Sequence, residues 1–166
     1  MIRPNRIFTV VVFLLGSSTL VGWSSAEAVE PSVRPDVVLT DQAHELHFDG
    51  LLFDGHNDLP WEIRSKGNSS FDQIDISEPQ SELHTDIPRL RAGGLKAQFW
   101  SVYVPADIPD PYLRTIEQIE LVEAMVARDP RLELATTAAD VRRIRTEGHI
   151  ASLLGSEGGH SIEGSL

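Results

Sequence analysis

The 166-residue sequence contains no cysteine, which excludes disulfide bonds and any lipid anchor attached to a cysteine. It is also poor in basic residues, since 14 Lys and Arg stand against 25 Asp and Glu and the formal net charge at pH 7 is −11. Such an acidic chain repels nucleic acid and anionic lipid. We therefore expect no nucleic-acid partner, although the acidity does not identify a substrate.

The sequence also lacks an uninterrupted apolar run of about 20 residues, the length that a membrane-spanning helix needs. Its longest apolar run, residues 7–15, follows two arginines and gives way to small and polar residues. Ala26-Glu27-Ala28 then fits the cleavage pattern of a secretory signal peptide. We predict a signal peptide over residues 1–28 and an exported protein (periplasmic, extracellular or membrane-associated). An uncleaved membrane anchor is the alternative.

The part of the chain after the predicted cleavage site suits one domain. It is much shorter than the roughly 250 residues of a complete eight-stranded α/β barrel. Residues 29–49 are predicted to be an extended lead-in, because Pro31 and Pro35 bias the residues before them away from helix. The folded domain is predicted over residues 50–166.

Strand and helix signals alternate along this domain. Strands are predicted from the apolar run at residues 51–53, over residues 95–104 and over residues 150–154. Helices are predicted after the N-caps Thr85, Asp110 and Thr137, ending near Gly93, Pro130 and Gly148. Residues 62–84 form a polar connection, either a functional loop or disordered. Alternating elements of this kind predict an α/β fold with a parallel sheet.

Potential metal ligands follow the first predicted strand. If this strand continues through His56 and Asp58, the two side chains lie on the same face, because side chains alternate along a strand. An imidazole and a carboxylate can share a zinc ion, with a third ligand supplied from elsewhere in the chain. The alternative is a loop histidine beside a turn-forming Asn-Asp pair.

A second polar cluster, Gly155-Ser156-Glu157-Gly158-Gly159-His160, follows the third predicted strand. In parallel α/β folds, functional residues collect at the carboxyl ends of strands, so Glu157 is a candidate partner for His56 and Asp58. The glycines argue against a helical metal motif, and neither a nucleophile elbow nor a phosphate loop is present. Two alternatives are a solvated Glu157 at a tight strand exit and a structural role for His160.

Four sequence blocks resemble the membrane dipeptidase (renal dipeptidase) family of zinc peptidases, in the order and at about the spacing found in that family. They cover roughly residues 50 to 165. The four blocks are Phe53-Asp54-Gly55-His56-Asn57-Asp58-Leu59-Pro60-Trp61, Thr85-Asp86-Ile87-Pro88-Arg89-Leu90-Arg91-Ala92-Gly93-Gly94, Ala97-Gln98-Phe99-Trp100-Ser101-Val102-Tyr103 and Glu157-Gly158-Gly159-His160-Ser161-Ile162.

The resemblance implies a TIM-type (β/α)₈ barrel holding two zinc ions, of which this chain carries roughly the first three βα units. It implies that His56 and Asp58 bind one zinc and that Glu157 bridges both, while Trp61 and Tyr103 lie near the substrate. Two further histidines and the general acid/base residue are expected beyond residue 166. The implied activity is hydrolysis of dipeptides by a metal-bridged hydroxide. The complete protein is expected to be a homodimer.

Two other functions stay open at this point. One is a different binuclear barrel hydrolase that acts on amides or lactones. The other is a non-catalytic binding protein, because a barrel lacking several strands exposes strand edges that pair readily with partners. For the same reason we expect the 166-residue chain by itself to lack dipeptidase activity.

Overall fold

The computed structural model describes residues 36–163, so the predicted signal peptide at residues 1–28 lies outside the described part of the chain. The described residues from Val38 onward form one compact unit. Within residues 36–163, no helix combines the length and the apolar character needed to cross a bilayer.

Helices and strands alternate through the described residues. The helices are Asp41–Asp49 (α1), Leu59–Gly67 (α2), Ile87–Ala92 (α3), Pro111–Arg128 (α4) and Ala138–Thr146 (α5). The strands are Phe53–Asn57 (β1), Ala97–Ser101 (β2), Leu132–Leu134 (β3) and Ile150–Gly155 (β4), and a short 3₁₀ helix follows at Gly159–Ile162.

All four strands are parallel, in the order β1-β2-β4-β3. The three predicted strands correspond to β1, β2 and β4, which are direct neighbours, and the predicted parallel α/β sheet is confirmed. The prediction of three strands missed β3, because a run of three residues carries too little alternation to stand out. β3 pairs with residues 150–152 of β4 and lies at the edge of the sheet.

Apolar side chains cover both faces of the sheet, because neighbouring strand residues point in opposite directions. Trp100 and Ile150 belong to the larger core, which also contains buried side chains of α2 and α4 such as Ile63 and Val122. Ala97, Ala151 and Leu153 lie on the opposite face, in a smaller core with Val141 and Ile144 of α5. Polar side chains, including His56, Ser101 and Glu157, lie at or just after the carboxyl ends of β1, β2 and β4.

The three predicted helices correspond to α3, α4 and α5. The predicted N-cap Thr137 starts α5 and forms a capping box with Asp140, whereas Asp110 occupies the N-cap position of α4 without a side-chain capping hydrogen bond. The N-cap of α3 is Asp86, not Thr85 as predicted, because the Asp86 carboxylate accepts the backbone N–H of Arg89. Tyr112 and Leu113, in the first turn of α4, are exposed.

Two helices replace segments that the sequence predicted to be extended or irregular. Helix α1 occupies residues 41–49 of the predicted extended lead-in, because the Thr40 side chain accepts the Ala43 N–H and starts a helix beyond the prolines. Helix α2 occupies the beginning of the predicted polar connection at residues 62–84, and Pro60 lies in its first turn. Both helices are only 9 residues long and weakly amphipathic, so their periodicity was hard to recognise.

Candidate metal centre

Three predicted metal ligands meet at the carboxyl ends of β1 and β4. The His56 Nε2 atom lies 3.2 Å from Asp58 Oδ1 and 3.4 Å from Glu157 Oε2. One ligand atom from each residue lies within 4.8 Å of the other two. The structure therefore brings together the three side chains that the sequence predicted to share a cation.

The turn between β1 and α2 holds the first two ligands. The side chain of Asp54 accepts the His56 backbone N–H at 3.1 Å, and the side chain of Asn57 accepts the Leu59 N–H at 3.0 Å. β1 ends at Asn57, and Asp58 is the residue immediately before α2. Although Asp58 lies outside the strand, its carboxylate still reaches the His56 ring.

Asn57 ties this turn to the rest of the domain. Its Nδ2 atom donates to Thr85 Oγ1 at 3.2 Å and to the side-chain oxygen of buried Gln98 at 3.4 Å. The sequence analysis did not predict these hydrogen bonds of Asn57 with Thr85 and Gln98, because they join segments that are far apart in the chain.

The third ligand lies in a compact loop after β4. Ser156 and Ser161 share a hydrogen bond at 2.8 Å, and the Ser161 hydroxyl donates to the Gly158 carbonyl at 2.7 Å. His160 does not belong to the ligand cluster. Its Nε2 atom lies 2.7 Å from the carbonyl of Val104, so this nitrogen carries the proton and donates. His160 therefore fastens the Glu157 loop to the segment after β2, consistent with a structural role.

The donor set fits a divalent cation. The side chains of His56, Asp58 and Glu157 are 54%, 55% and 51% exposed, so ions and small molecules can reach them. One imidazole nitrogen and two carboxylates are common zinc ligands. Two carboxylates held this close repel each other unless a cation or a proton lies between them, so the arrangement favours metal binding.

Two cavities adjoin the cluster. The first, about 420 Å³, is lined by His56, Asp58, residues of α2 and residues 82–85. The second, about 450 Å³, is lined by His56 and Glu157 together with Phe99, Ser101 and neighbouring small residues. His84 lines the first cavity and lies outside the ligand cluster.

The predicted substrate-binding residues Trp61 and Tyr103 contact each other. Their ring centroids are 5.4 Å apart, with the rings nearly perpendicular. Trp61 lies in the first turn of α2, shortly after Asp58 in the chain, and Tyr103 follows β2. Neither ring lines the two cavities described above.

A second group of potential ligands, Glu133, Glu147 and His149, lies away from this site. Arg143 already bonds both carboxylates, at 2.5 Å to Glu133 and 2.9 Å to Glu147. The Arg143 hydrogen bond is the main reason that the pKa of Glu133 is below its ordinary value. Because a guanidinium occupies the place of a cation, this group is an ion-pair network and not a metal site.

Comparison with known proteins supports the same conclusion as the geometry. Residues 40–166 match the model of the family described as membrane dipeptidase (peptidase family M19). The chain is 37% identical to dipeptidase 3 of Mus musculus over 133 residues, covering 79% of this chain and 26% of that protein. It is 40% identical to dipeptidase ataJ of Aspergillus terreus over 123 residues, covering 67% of this chain and 30% of that protein.

Solved structures show the same fold. A metallopeptidase described as dipeptidase AC, of family M19, has a TM-score of 0.53 at 24% identity, covering 67% of this chain and 36% of that one. A Rhodobacter sphaeroides metallopeptidase, liganded with a phosphinate mimic of the dipeptide L-Ala-D-Ala, has a TM-score of 0.50 at 22% identity, covering 67% and 39%. These matches confirm the predicted fold class, part of a TIM-type (β/α)₈ barrel. The chain spans 26–30% of the length of the two curated relatives above.

Proposed function

Because the chain belongs to the membrane dipeptidase family, peptidase family M19, we propose that the complete protein is a zinc-dependent dipeptidase. The convergence of His56, Asp58 and Glu157 at the carboxyl ends of the strands is the observation that carries this proposal. An imidazole and two carboxylates form a donor set that zinc peptidases use.

The three ligands have two roles in the proposal. His56 and Asp58 would hold one zinc ion, and Glu157 would help to hold that ion and a second one. Bound zinc supplies a Lewis acid and lowers the pKa of water towards about 7, which allows hydrolysis at neutral pH. The turn at Asn57 and the loop after β4 keep the ligands in place, so little ordering is needed on binding.

The substrate of the proposed enzyme is a dipeptide. The names of the relatives and the phosphinate-bound homologue support this choice. Trp61 and Tyr103 would contact the substrate, as the family resemblance implies, and their paired rings offer an apolar surface. The general acid/base residue and the further zinc ligands are proposed to come from parts of the protein beyond residue 166.

Three further points belong to the proposal. The N-terminal sequence supports export through a signal peptide at residues 1–28. The family resemblance supports a homodimer of the complete protein, which light scattering would test. We also expect the 166-residue chain by itself to be inactive, because the three ligands identified here would serve only part of a two-zinc site.

The test is to purify the full-length protein, remove metal with a chelator and add back zinc. We expect hydrolysis of a dipeptide panel to disappear with the metal and return with about two zinc ions per chain. His56→Ala should prevent this recovery, whereas His44→Ala, on the exposed helix α1, should not.

A lactone panel separates the alternative hydrolase from the dipeptidase. Hydrolysis of lactones but not dipeptides would contradict the proposal and favour the other binuclear hydrolase. Zinc binding without turnover of either substrate would favour a binding protein.

A further inference from the structure

The cavity beside the metal ligands contains charged side chains that the metal does not require. It has a volume of about 420 Å³ and is lined by His56 and Asp58, by Glu62 and Lys66 of α2, and by residues 82–85. A group bound at the metal ligands therefore lies next to residues 82–85, which we call the wall of the cavity and which include the charged Glu82. The charge of this wall affects which substrates bind most tightly.

The wall at residues 82–85 is held in place from behind. The Arg89 guanidinium donates to the carbonyl of Gln80 at 2.9 Å and to the carbonyl of Leu83 at 2.7 Å. One side chain therefore fixes the backbone on both sides of Glu82. The backbone that carries Glu82 is therefore held beside the cavity.

Arg89 is itself anchored by a buried carboxylate. Asp86 is fully buried and accepts the Arg89 Nε–H at 2.6 Å and the Gln80 N–H at 2.9 Å. Burial alone would raise the pKa of Asp86, but these bonds and the Arg89 charge outweigh it and keep the pKa below its ordinary value. Asp86 is therefore ionised at neutral pH, and the clamp on the wall is intact.

The wall is also joined to the metal ligands. Thr85 accepts a hydrogen bond from Asn57, the residue between His56 and Asp58, at 3.2 Å. The wall and the ligands therefore form one connected unit, which favours a fixed distance between them.

One charge in this cavity is uncompensated. Lys66 forms an ion pair with Glu62, so the charges of these two side chains cancel. Glu82 is exposed and has no ion-pair partner within residues 36–163. With Asp58 engaged at the metal, Glu82 gives this side of the cavity a net negative charge.

We propose that Glu82 is a specificity-determining residue that favours dipeptides with a cationic side chain, lysine or arginine, over dipeptides with an acidic one. This inference rests on the proposed dipeptidase function. Opposite charges across a binding site attract and like charges repel, so one uncompensated carboxylate beside the cavity changes the relative affinities of such substrates.

The experiment compares full-length, zinc-loaded parent protein with Glu82→Gln and Glu82→Lys. The substrates are Lys-Gly, Gly-Lys, Ala-Gly, Gly-Ala, Glu-Gly and Gly-Glu. For at least one lysine dipeptide, we expect kcat/KM relative to its alanine counterpart to fall about threefold in Glu82→Gln and about tenfold in Glu82→Lys, as for exposed charge pairs. The matching glutamate dipeptide should gain in Glu82→Lys, and added salt should reduce all these differences.

Glu123→Lys is the matched control, because Glu123 is exposed on α4 and its substitution changes the net charge of the protein equally. An equal change of preference in Glu123→Lys would overturn the inference, since net charge alone would then explain it. Unchanged preference in the Glu82 variants, or an equal loss for all six dipeptides, would also overturn it. If the parent protein hydrolyses none of the dipeptides, the proposed function is wrong. If the parent is active and the Glu82 variants keep its substrate preference, only the proposed role of Glu82 is wrong.

Discussion

The His56 imidazole lies 3.4 Å from the Glu157 carboxylate, although the two residues leave strands that are not neighbours in the sheet. β2 runs between β1 and β4, and its last residue, Ser101, donates to the same Glu157 oxygen at 3.5 Å. Ligands contributed by separate strands are aligned by the hydrogen-bonding register of the sheet. Metal affinity should therefore depend on side chains from both ends of the described chain.

Removal of the Glu157 charge should weaken metal binding. We expect Glu157→Gln to lower zinc affinity about a hundredfold, because it replaces a charged carboxylate ligand with a neutral amide, whereas loss of a group that only orients a ligand costs 10- to 100-fold. Zinc content after dialysis against a competing chelator would measure this effect. Glu163→Gln, a neutral change just beyond the same loop, is the control, and zinc retention by Glu157→Gln equal to that of the control would contradict the prediction.

The contact between Trp61 and Tyr103 should matter for substrate binding. We expect Trp61→Ala to raise KM for dipeptides about tenfold, in line with the 0.5–1.5 kcal/mol of an aromatic pair plus lost apolar contact. Trp61→Phe keeps an aromatic ring against Tyr103 and should recover most of the loss. Steady-state kinetics with measured zinc content decides the matter. A fall in kcat at constant KM would argue against a substrate contact.

Asp86 should contribute to stability in a pH-dependent way. Because its folded-state pKa lies below the ordinary value, its contribution is present above about pH 4 and is lost as the pH falls through the folded-state pKa. We expect Asp86→Asn to lower the free energy of unfolding by about 2 kcal/mol at pH 7, the cost of losing charged hydrogen bonds at a buried group. The gap between parent and variant should narrow towards pH 3.

Urea unfolding at several pH values would measure this effect. Asp107→Asn is the control and should leave stability nearly unchanged, because Asp107 is exposed and its side chain has no hydrogen-bond or ion-pair partner within residues 36–163. A gap between parent and Asp86→Asn that stays constant from pH 7 to pH 3 would show that the carboxylate charge is not the cause.

The two glycines after Glu157 should respond differently to the same substitution. Gly158 has a φ of 86°, and an added Cβ would lie 2.5 Å from the His160 ring, whereas an added Cβ at Gly159 meets no atom within 4 Å. We expect Gly158→Ala to destabilise the protein by about 1–2 kcal/mol and to displace His160 from the Val104 carbonyl. Thermal unfolding of both variants is the measurement, and equal melting temperatures would refute the expectation.

Helix ends and strand cores were predictable where the signal is local. The Thr137–Asp140 capping box uses hydrogen bonds within four residues, and the start of α4 is marked by Pro111 at its first position, so the sequence alone identifies both helix starts. Short elements with weak periodicity were not predictable. The three residues of β3 gain strand structure only by pairing with β4, and α1 depends on a single cap.

The candidate site divides in the same way. The sequence by itself identified His56, Asp58 and Glu157, because unusual ligand clusters follow apolar runs and because four blocks resemble one family. It could not determine the contacts of Asn57 with Thr85 and Gln98, nor the clamp that Arg89 forms over residues 80–83. The tertiary structure decided these, because the order of the strands and the packing of the loops set distances between side chains that no local pattern encodes.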